Sequence, residues 1–544
     1  MRIFAWALLG LSAFALPAPA AAQDHPMPAD HVMPMPAAAP ADSAAEHAAM
    51  HVHDDTLVPP TPTLLEGYGV GGFAVTTQVP QAQAFFANGM ELGAAFAHSA
   101  AVAAMEEAVR LDPTCAMCKW GQALVAGPTI NYGKDKAARR PLLSLARAAQ
   151  HEARDNGTER EQALTGALVQ RYRRGNETRR DTAYARAMQA VQARWPLDNE
   201  IAVLAADAMM VDSFNGFQTD AGFDEVELGR AATLLEAVLA RDPNHTPAMH
   251  FYIHASEVLG RPEQAEPYAD RIESLAPRAS HLVHMPSHTW YWLGRYEEAA
   301  RTNWRAVEIG KANAARLGLP EPDGVWGLPY HMHNVLYGLG GALMAGDAEV
   351  GLALGRPLVE RAAMREGDGA TNQLMGALGY EAIARFDPAG VAALPEPKLP
   401  YLKAAWHYAR GEAAAAAGDA DAVRAEMELI PERIAEHPDA QWSKAPEAML
   451  GITRGILAGR AAMLQGDPRA AAEALRRAAE LEETPEFNDF TDPPAFWYPV
   501  RRDVAAALLA AGDSEGAREA AEASLKLRMK DPVAEALLAR IGQA

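Results

Sequence analysis

A helical unit repeated at a fixed interval is the feature that most constrains the fold of this chain. The stretch LGRPEQAEPYADRIESLAP contains Gly260 and Ala265, and LGRYEEAARTNWRAVEIGK contains Gly294 and Ala299. Both residues recur at the same interval, since 294 − 260 = 34 and 299 − 265 = 34. Apolar residues within each unit recur every three or four positions, which is typical of an amphipathic helix. The chain is therefore expected to fold into pairs of helices joined by short turns.

Units of the same kind occur on both sides of this central pair. ELGAAFAHSAAVAAMEEAVRL shows the helical spacing just before Asp112-Pro113, and later turns are marked by four Gly-Asp pairs: Gly346-Asp347, Gly418-Asp419, Gly466-Asp467 and Gly512-Asp513. Together these units resemble the tetratricopeptide repeat (TPR) family over residues 80–540. The resemblance is weaker between 130 and 225 and between 355 and 400.

The resemblance implies an all-α, right-handed α-solenoid in which each helical hairpin packs on the next one. It also implies that Gly260 and Gly294 form tight turns, and that Ala265 and Ala299 lie where the helices of a hairpin cross. We expect three helical domains: N-terminal repeats over 63–225, central repeats over 226–395 and C-terminal repeats over 396–544.

The first 22 residues have the composition of a signal peptide. A positive charge precedes an apolar run at 3–16, and Ala20-Ala21-Ala22 offers the small residues of a cleavage site. We therefore expect residues 1–22 to be removed, and the mature protein to be periplasmic or secreted without membrane insertion. The alternative is an uncleaved membrane anchor, which Pro17 and Pro19 disfavour because they would interrupt a spanning helix.

Residues 23–62 are rich in proline and alanine and lack helical periodicity, so we expect a disordered tether. The tether also carries imidazole and thioether groups: His25, Met27, His31, Met33, Met35, His47, Met50, His51 and His53. Thioether sulfur favours Cu(I), which indicates copper capture by this segment. The alternative is that these residues are incidental in a low-complexity linker.

The formal net charge of −21 limits the classes of partner. Nucleic acid is excluded because its phosphates would be repelled, and anionic membrane surfaces are disfavoured for the same reason. Metal ions and an exported protein or peptide, a cationic one in particular, remain as partners.

The two cysteines are Cys115 and Cys118, in DPTCAMCKWG. Two cysteines exclude a framework of several disulfides. A pair at this spacing forms a local disulfide or a redox dithiol, or is simply two small buried side chains. Attachment of c-type haem is excluded because Lys119 stands where a histidine is needed.

Histidines are concentrated in the central repeats. Seven of the 17 histidines fall between 250 and 333: His250, His254, His281, His284, His288, His331 and His333. When Thr246 and Ser280 are taken as the first positions of two repeats, the fifth and ninth positions are histidine in both. The TPR resemblance implies that these positions face the concave groove. Residues four apart share one helix face, although Pro286 should bend the second of these helices.

Three hypotheses account for this cluster. It is a metal site, with copper ahead of zinc because of the tether; it is a pocket that donates hydrogen bonds to an anionic or aromatic ligand; or its members are structural. Glu257 would add a carboxylate or orient an imidazole, and Tyr252 and Tyr291 would line the site. The remaining histidines are expected to be structural (His98) or on the surface (His151, His245, His407 and His437).

Catalytic signatures such as HExxH, GxSxG and GxxxxGK[ST] are absent from the sequence. The sequence therefore favours a binding protein whose groove holds a transition metal or a protein segment. The alternative is a metal-dependent enzyme, an oxidoreductase or a hydrolase, which uses the same histidines as ligands.

Overall fold

The structure is a computed structural model that describes most of the chain. It covers residues 62–131, 133–134, 136–214, 224–319, 324–367, 369–434, 444–488 and 494–542. The predicted signal peptide (1–22) and all but the last residue of the predicted tether (23–62) lie outside the described residues. Export of the protein and copper capture by the tether therefore stay predictions. Within the described ranges, no helix combines the length and apolar character needed to cross a bilayer.

The regular elements of the described residues are helices, so the predicted all-α fold class is confirmed. The helices form two compact units. The first unit comprises the described residues up to Trp290 together with Thr302–Asn334, and the second comprises Tyr291–Arg301 together with the described residues from Val335 onward.

Helical hairpins build the first unit, which contains every histidine of the predicted cluster. Its helices are α1 (Pro80–Ala94), α2 (His98–Leu111), α3 (Ala116–Val125), α4 (Lys136–Asn156), α5 (Glu159–Arg171), α6 (Glu177–Arg194), α7 (Asn199–Phe214), α8 (Glu225–Arg241), α9 (Thr246–Val258), α10 (Pro262–Leu275), α11 (Ser280–His284) and α12 (Pro286–Trp290). Helix α13 (Tyr296–Leu317) begins in the second unit and continues into the first, and a 3₁₀ turn follows at Gly324–Gly327. Helix α14 (His331–Ala345) begins in the first unit.

The second unit continues with the same kind of hairpin. Its further helices are α15 (Ala348–Met364), α16 (Ala370–Phe386), a 3₁₀ turn at Pro388–Ala393, α17 (Pro400–Ala417), α18 (Ala420–Leu429), α19 (Ala445–Leu464), α20 (Pro468–Glu482), α21 (Pro485–Asn488), α22 (Arg501–Ala510), α23 (Ser514–Leu527) and α24 (Pro532–Ile541).

The Gly-Asp pairs form the predicted turns, and each residue has a separate role. Gly346, Gly418, Gly466 and Gly512 all adopt left-handed backbone conformations, with φ between 76° and 83°. Glycine takes that conformation without a steric penalty, so the preceding helix can end there. The aspartate that follows caps the next helix: the side chain of Asp467, for example, accepts a hydrogen bond from the backbone N–H of Ala470.

The 34-residue repeat is also confirmed in detail. Helix α9 begins at Thr246 and α11 at Ser280, 34 residues later. Gly260 and Gly294 have φ of 66° and 74°, as tight turns after the first helix of each hairpin require. Ala265 and Ala299 are both fully buried, which is what close helix crossing predicts.

Candidate metal centre

Helix α9 is the central element of the candidate site and is almost wholly buried. Pro247 occupies its first turn, and the His245 side chain caps it by accepting from the backbone N–H of Ala248. Every residue from Thr246 to Ser256 is buried. His250 and His254, one helical turn apart on this helix, therefore lie inside the protein.

The expected position of the histidines on an open groove is wrong. The exposed fraction is 0% for His250, His284 and His288, and 8% for His254. The reason is tertiary: neighbouring helices and the turn after α1 cover the face of α9 that the repeat pattern assigned to the groove. The imidazoles nevertheless lie together. Burial limits which ligands can reach them, but it does not separate the rings.

The first group, named here the first trio, consists of His250, His254 and His281. One ring nitrogen from each lies within 4.8 Å of those of the other two. His250 Nε2 is 3.1 Å from His281 Nε2, and the opposite nitrogen, His250 Nδ1, is 2.7 Å from the backbone oxygen of Ala94. Thus α9 and α11 bring three imidazoles to one point.

The second trio consists of His284, His288 and His333, again with ring nitrogens within 4.8 Å of one another. His288 Nε2 is 2.8 Å from His284 Nε2 and 3.5 Å from His333 Nε2. In both trios, imidazoles from more than one helix meet. His281 joins His250 and His254, and His333 from α14 joins His284 and His288.

Glu257 connects the two trios. Its carboxylate, together with one nitrogen each of His254 and His288, forms a third group whose ligand atoms lie within 4.8 Å. The ring centroids of His254 and His288 are 5.0 Å apart, and those of His281 and His284 are 5.5 Å apart. We call the six histidines of the trios and Glu257 the histidine array.

Pro286 has the predicted effect on its helix. The helix that begins at Ser280 ends at His284, and α12 starts at Pro286 itself. Proline lacks an N–H and clashes with the preceding turn, so it breaks a continuous helix. The rings of His284 and His288, on either side of the break, still meet with centroids 4.7 Å apart.

The outer nitrogens of three array histidines contact hydrogen-bond acceptors. A carbonyl oxygen can only accept, so His250 Nδ1 donates to Ala94 and His250 Nε2 carries a lone pair. In the second trio, His284 Nδ1 lies 2.6 Å from Asn303 Oδ1 and His288 Nδ1 lies 2.7 Å from Glu257 Oε2. His284 Nδ1 also lies 3.3 Å from Ser287 Oγ, and the Nε2 atoms of His284 and His288 are at hydrogen-bond distance from each other.

Burial keeps His250 and His281, two members of the first trio, uncharged at neutral pH. It lowers the pKa of His250 to about 3, against the raising effect of the hydrogen bond to Ala94, and His288 lowers it further. Burial also holds the pKa of His281 well below its usual value, and the neighbouring imidazoles act in the same direction. Neutral imidazole is the form that binds metal, so these rings need not lose a proton first.

Two aromatic residues that the sequence did not single out cover His281. The ring centroid of Phe96 lies 4.9 Å from that of His281 and 4.5 Å from that of His250, and the Tyr330 centroid lies 4.3 Å from that of His281. Both residues have positive φ, 55° for Phe96 and 64° for Tyr330. Residues other than glycine rarely adopt a positive φ, and those that do cluster at functional sites. No local pattern marks either position, and the same holds for Asn303.

His331 does not join either trio. Its ring packs edge-on against Trp326 with centroids 4.7 Å apart, and burial together with Lys311 lowers its pKa to about 3. Tyr252 points toward α8, where its hydroxyl donates to Glu236 Oε1 at 2.8 Å. The Tyr291 hydroxyl, in the second unit, donates to the backbone oxygen of Trp497. These three predicted site residues therefore have other contacts.

Two of the histidines that were expected on the surface are buried. His245 is 2% exposed and contacts Glu200, and His407 is 7% exposed and contacts Glu426 at 2.8 Å. Both predictions are wrong because each imidazole is packed inside the protein against an acidic side chain of a neighbouring helix. The side chain of His151 is exposed as predicted. His98 begins α2 and stacks on Phe96, and His437 lies outside the described residues.

Cys115 and Cys118 are joined by a disulfide with a Cα–Cα distance of 5.3 Å. Both residues are buried. Cys115 also caps α3, because its sulfur accepts a hydrogen bond from the backbone N–H of Cys118. Of the three roles considered for the pair, the structure shows the local disulfide.

Comparisons with known proteins give distant structural similarity only. No family model matches the chain, and no curated protein matches it. Solved structures similar to it include yeast Tom70 (11% identity, 86% of this chain and 89% of that one, TM-score 0.25). The Naa15/Naa10 structure bound to HypK-THB is 13% identical over 83% of this chain and 64% of that one, with a TM-score of 0.21. The P58(IPK) TPR domain is 12% identical over 85% of this chain and 97% of that one, also with a TM-score of 0.21.

TM-scores of this size do not indicate a function. The fold class is shown by the helical hairpins of the chain itself. Turn glycines and crossing alanines recur 34 residues apart, in helices that begin at the same interval. The protein is built from TPR-like helical hairpins. Within this TPR-like protein, the first unit departs from an ordinary repeat core by burying six clustered imidazoles.

Proposed function

We propose that the first unit binds transition-metal ions through the histidine array. The observation that carries this proposal is the convergence of ring nitrogens from His284, His288 and His333 within 4.8 Å of one another, with the Nδ1 atoms of His284 and His288 beside Asn303 and Glu257. Metal-binding histidines typically donate their other N–H to a carboxylate or a carbonyl group, which fixes the ring orientation. In three of the six histidines of the array, the Nδ1 atom lies beside a carboxylate or carbonyl oxygen in this way.

A metal ion serves more of the second trio than a shared proton does. The 2.8 Å contact between His284 Nε2 and His288 Nε2 has the length of one hydrogen bond. A proton can serve one pair of nitrogens, whereas the second trio brings a third, His333 Nε2, to 3.5 Å from His288 Nε2. An ion with bonds of about 2.0–2.1 Å to nitrogen can use all three.

Burial favours a metal ion over a protein segment as the occupant of this site. A polypeptide cannot contact rings with no exposed surface, such as those of His250, His284 and His288. The array reaches solvent at one edge, where the side chain of Glu257 is 14% exposed. An ion that has shed its water can enter there. A partner protein would have to bind elsewhere, on the extended surfaces that helical repeats provide.

Copper and zinc are the metals that this ligand set fits, since imidazole suits both. We favour binding over catalysis because the proposed metal ions use all six imidazoles as ligands, and the carboxylate of Glu257 already accepts from His288. The second candidate is a metal-dependent enzyme, an oxidoreductase or a hydrolase, at the same site. It is favoured by the two strained aromatic residues, Phe96 and Tyr330, beside the array.

Metal analysis of the mature protein tests the proposal. The protein is purified without chelators, incubated with copper or zinc, desalted and measured by elemental analysis. We expect stoichiometric metal in the natural sequence and less metal in a His284→Ala, His288→Ala double variant, which removes two ligands of the second trio. The matched control is His151→Ala, which removes an exposed imidazole. Less than about a tenth of an equivalent in the natural sequence would overturn the proposal.

Thermal unfolding keeps the test decisive if the double variant does not fold. A ligand that binds only the folded state stabilises it, by about 2.7 kcal/mol at a hundredfold excess over Kd. The natural protein should therefore melt at a higher temperature with metal than with a chelator, and the His151→Ala control should shift equally. An unchanged melting temperature would contradict metal binding even without a variant.

A further inference from the structure

We infer that the histidine array binds two Cu(I) ions, one in each trio, with Glu257 between them. This inference rests on the proposed function and adds the number, oxidation state and placement of the ions. It follows from three properties of the array: the division of its ring nitrogens into two sets, the position of its carboxylate and the total charge of its ligands.

The ring nitrogens form two complete ligand sets with no shared member. Each trio supplies three imidazoles whose ligand atoms lie within 4.8 Å of one another. Two nitrogens bound to one ion at about 2.0–2.1 Å are about 3.3–3.6 Å apart in tetrahedral or trigonal geometry. The observed contacts are 3.1 Å for His250–His281 and 3.5 Å for His288–His333, so small ring movements suffice. The contact of 2.8 Å between His284 and His288 must open by about half an ångström.

The trios are adjacent, so two ions would be neighbours. The His254 and His288 rings, one from each trio, have centroids 5.0 Å apart and meet edge to face. Glu257 lies beside both, because its carboxylate groups with one nitrogen of each within 4.8 Å. A carboxylate in that position lowers the electrostatic repulsion between two cations and keeps the His288 ring aligned through its Nδ1–H.

The charge of the array selects monovalent ions. Six imidazoles that bind metal as neutral ligands contribute no charge, and Glu257 contributes one negative charge. Two Cu(I) ions would leave a net charge of +1 in the array, whereas two divalent ions would leave +3. Uncompensated charge is costly where side chains are excluded from water. Zn²⁺ and Cu²⁺ therefore bind more weakly as a pair than Cu(I) does.

An anaerobic titration with Cu(I) tests this inference. The mature protein competes with the chromophoric chelator bathocuproine disulfonate, and the array should hold two Cu(I) per chain, counted as the Cu(I) that a variant lacking all six array histidines does not bind. His281→Ala, in the first trio, and His333→Ala, in the second, should each lower the stoichiometry from two to one. His331→Ala is the matched control, since it removes a buried histidine beside His333 that belongs to neither trio. It should retain two.

Spin coupling tests whether the ions are adjacent. Ferricyanide, which accepts one electron from each Cu(I), converts the loaded protein to two Cu(II) ions. Adjacent Cu(II) ions couple, so the ordinary electron paramagnetic resonance signal should fall well below that of two isolated ions. In His281→Ala the single remaining Cu(II) should give its full signal, and elemental analysis after desalting shows that the Cu(II) has stayed bound in both proteins.

Each other result has a defined meaning. One Cu(I) per chain in the natural sequence, or two with a full uncoupled signal, would overturn the paired site and leave the proposed metal binding intact. Two zinc ions bound as tightly as two Cu(I) would overturn the charge argument. Failure to bind copper or zinc at all would overturn both proposals. If a variant fails to fold, the stoichiometry and signal of the natural protein still decide.

Discussion

His288 donates its Nδ1–H to Glu257 Oε2 across 2.7 Å, while its Nε2 atom faces the other two imidazoles of the second trio. The two residues come from different hairpins, α12 and α9, and the Glu257 side chain is only 14% exposed. One histidine thus connects a carboxylate at the solvent edge with the most deeply buried imidazoles.

Glu257→Gln should weaken metal binding by about 10- to 100-fold without unfolding the protein. The amide keeps an oxygen that can accept from His288, but it removes the negative charge that offsets the bound ions. The measurement is a competition titration of metal affinity, with circular dichroism as the check of fold. Glu263→Gln, at an exposed position on α10, is the control and should bind as the natural protein does. Unchanged affinity in Glu257→Gln would show that the carboxylate has no electrostatic role.

Tyr330 should affect the array through its ring, with its hydroxyl contributing to stability alone. The hydroxyl accepts a hydrogen bond from Asn131 at 3.0 Å, and the ring covers His281. Tyr330→Phe should cost about 1 kcal/mol of unfolding free energy and retain metal binding. Tyr330→Ala should lose more stability and also lower metal affinity, because water reaches His281. Denaturant unfolding and metal titration of both variants check this, and equal affinities in the two would contradict it.

The two turn glycines of the repeat should respond differently to the same substitution. An alanine methyl at Gly260 would meet nothing within 4 Å, whereas at Gly294 it would lie 2.6 Å from the backbone oxygen of Met529. Both have positive φ, so each change costs about 1–2 kcal/mol for the backbone conformation. Gly294→Ala should cost about 1–3 kcal/mol more because of the overlap. Denaturant unfolding measures both, and equal losses would contradict the contact at Gly294.

Glu482 should make stability fall as the pH rises. Burial raises its pKa from 4.5 to about 8, although the backbone N–H of Val500 donates to it and opposes the shift. Between these two values the carboxyl is protonated in the folded protein and ionised in the unfolded one. The stability that it contributes is therefore complete below about pH 4.5 and is lost as the pH rises through about 8.

Glu482→Gln should remove this dependence. The amide keeps the acceptor for Val500 and cannot ionise, so the variant should gain on the order of 4 kcal/mol over the natural protein between pH 5 and pH 9. Unfolding free energies measured across that range provide the check. Glu480→Gln, an exposed change on the same helix, should leave the pH dependence as it is. Parallel profiles for Glu482→Gln and the natural protein would contradict the prediction.

The amino-acid sequence determined the features that depend on neighbouring residues along the chain. The 34-residue interval, the Gly-Asp turns and the break at Pro286 all follow from local backbone preferences, and the structure confirms each of them. The spacing of His250 and His254 also fixed their common helix face. These properties need no knowledge of what packs against a helix.

Tertiary structure alone decided how the histidines are grouped and how far they are buried. His281 meets His250 and His333 meets His288 because different helices pack together. The periodicity of a helix shows which residues share a face, but it does not show which neighbouring helix covers that face. The same is true of Phe96, which reaches the first trio from the turn after α1, and of Asn303, which orients His284 from α13. A buried array and an open groove differ in the solvent exposure of their histidines. That exposure depends on how the whole first unit packs.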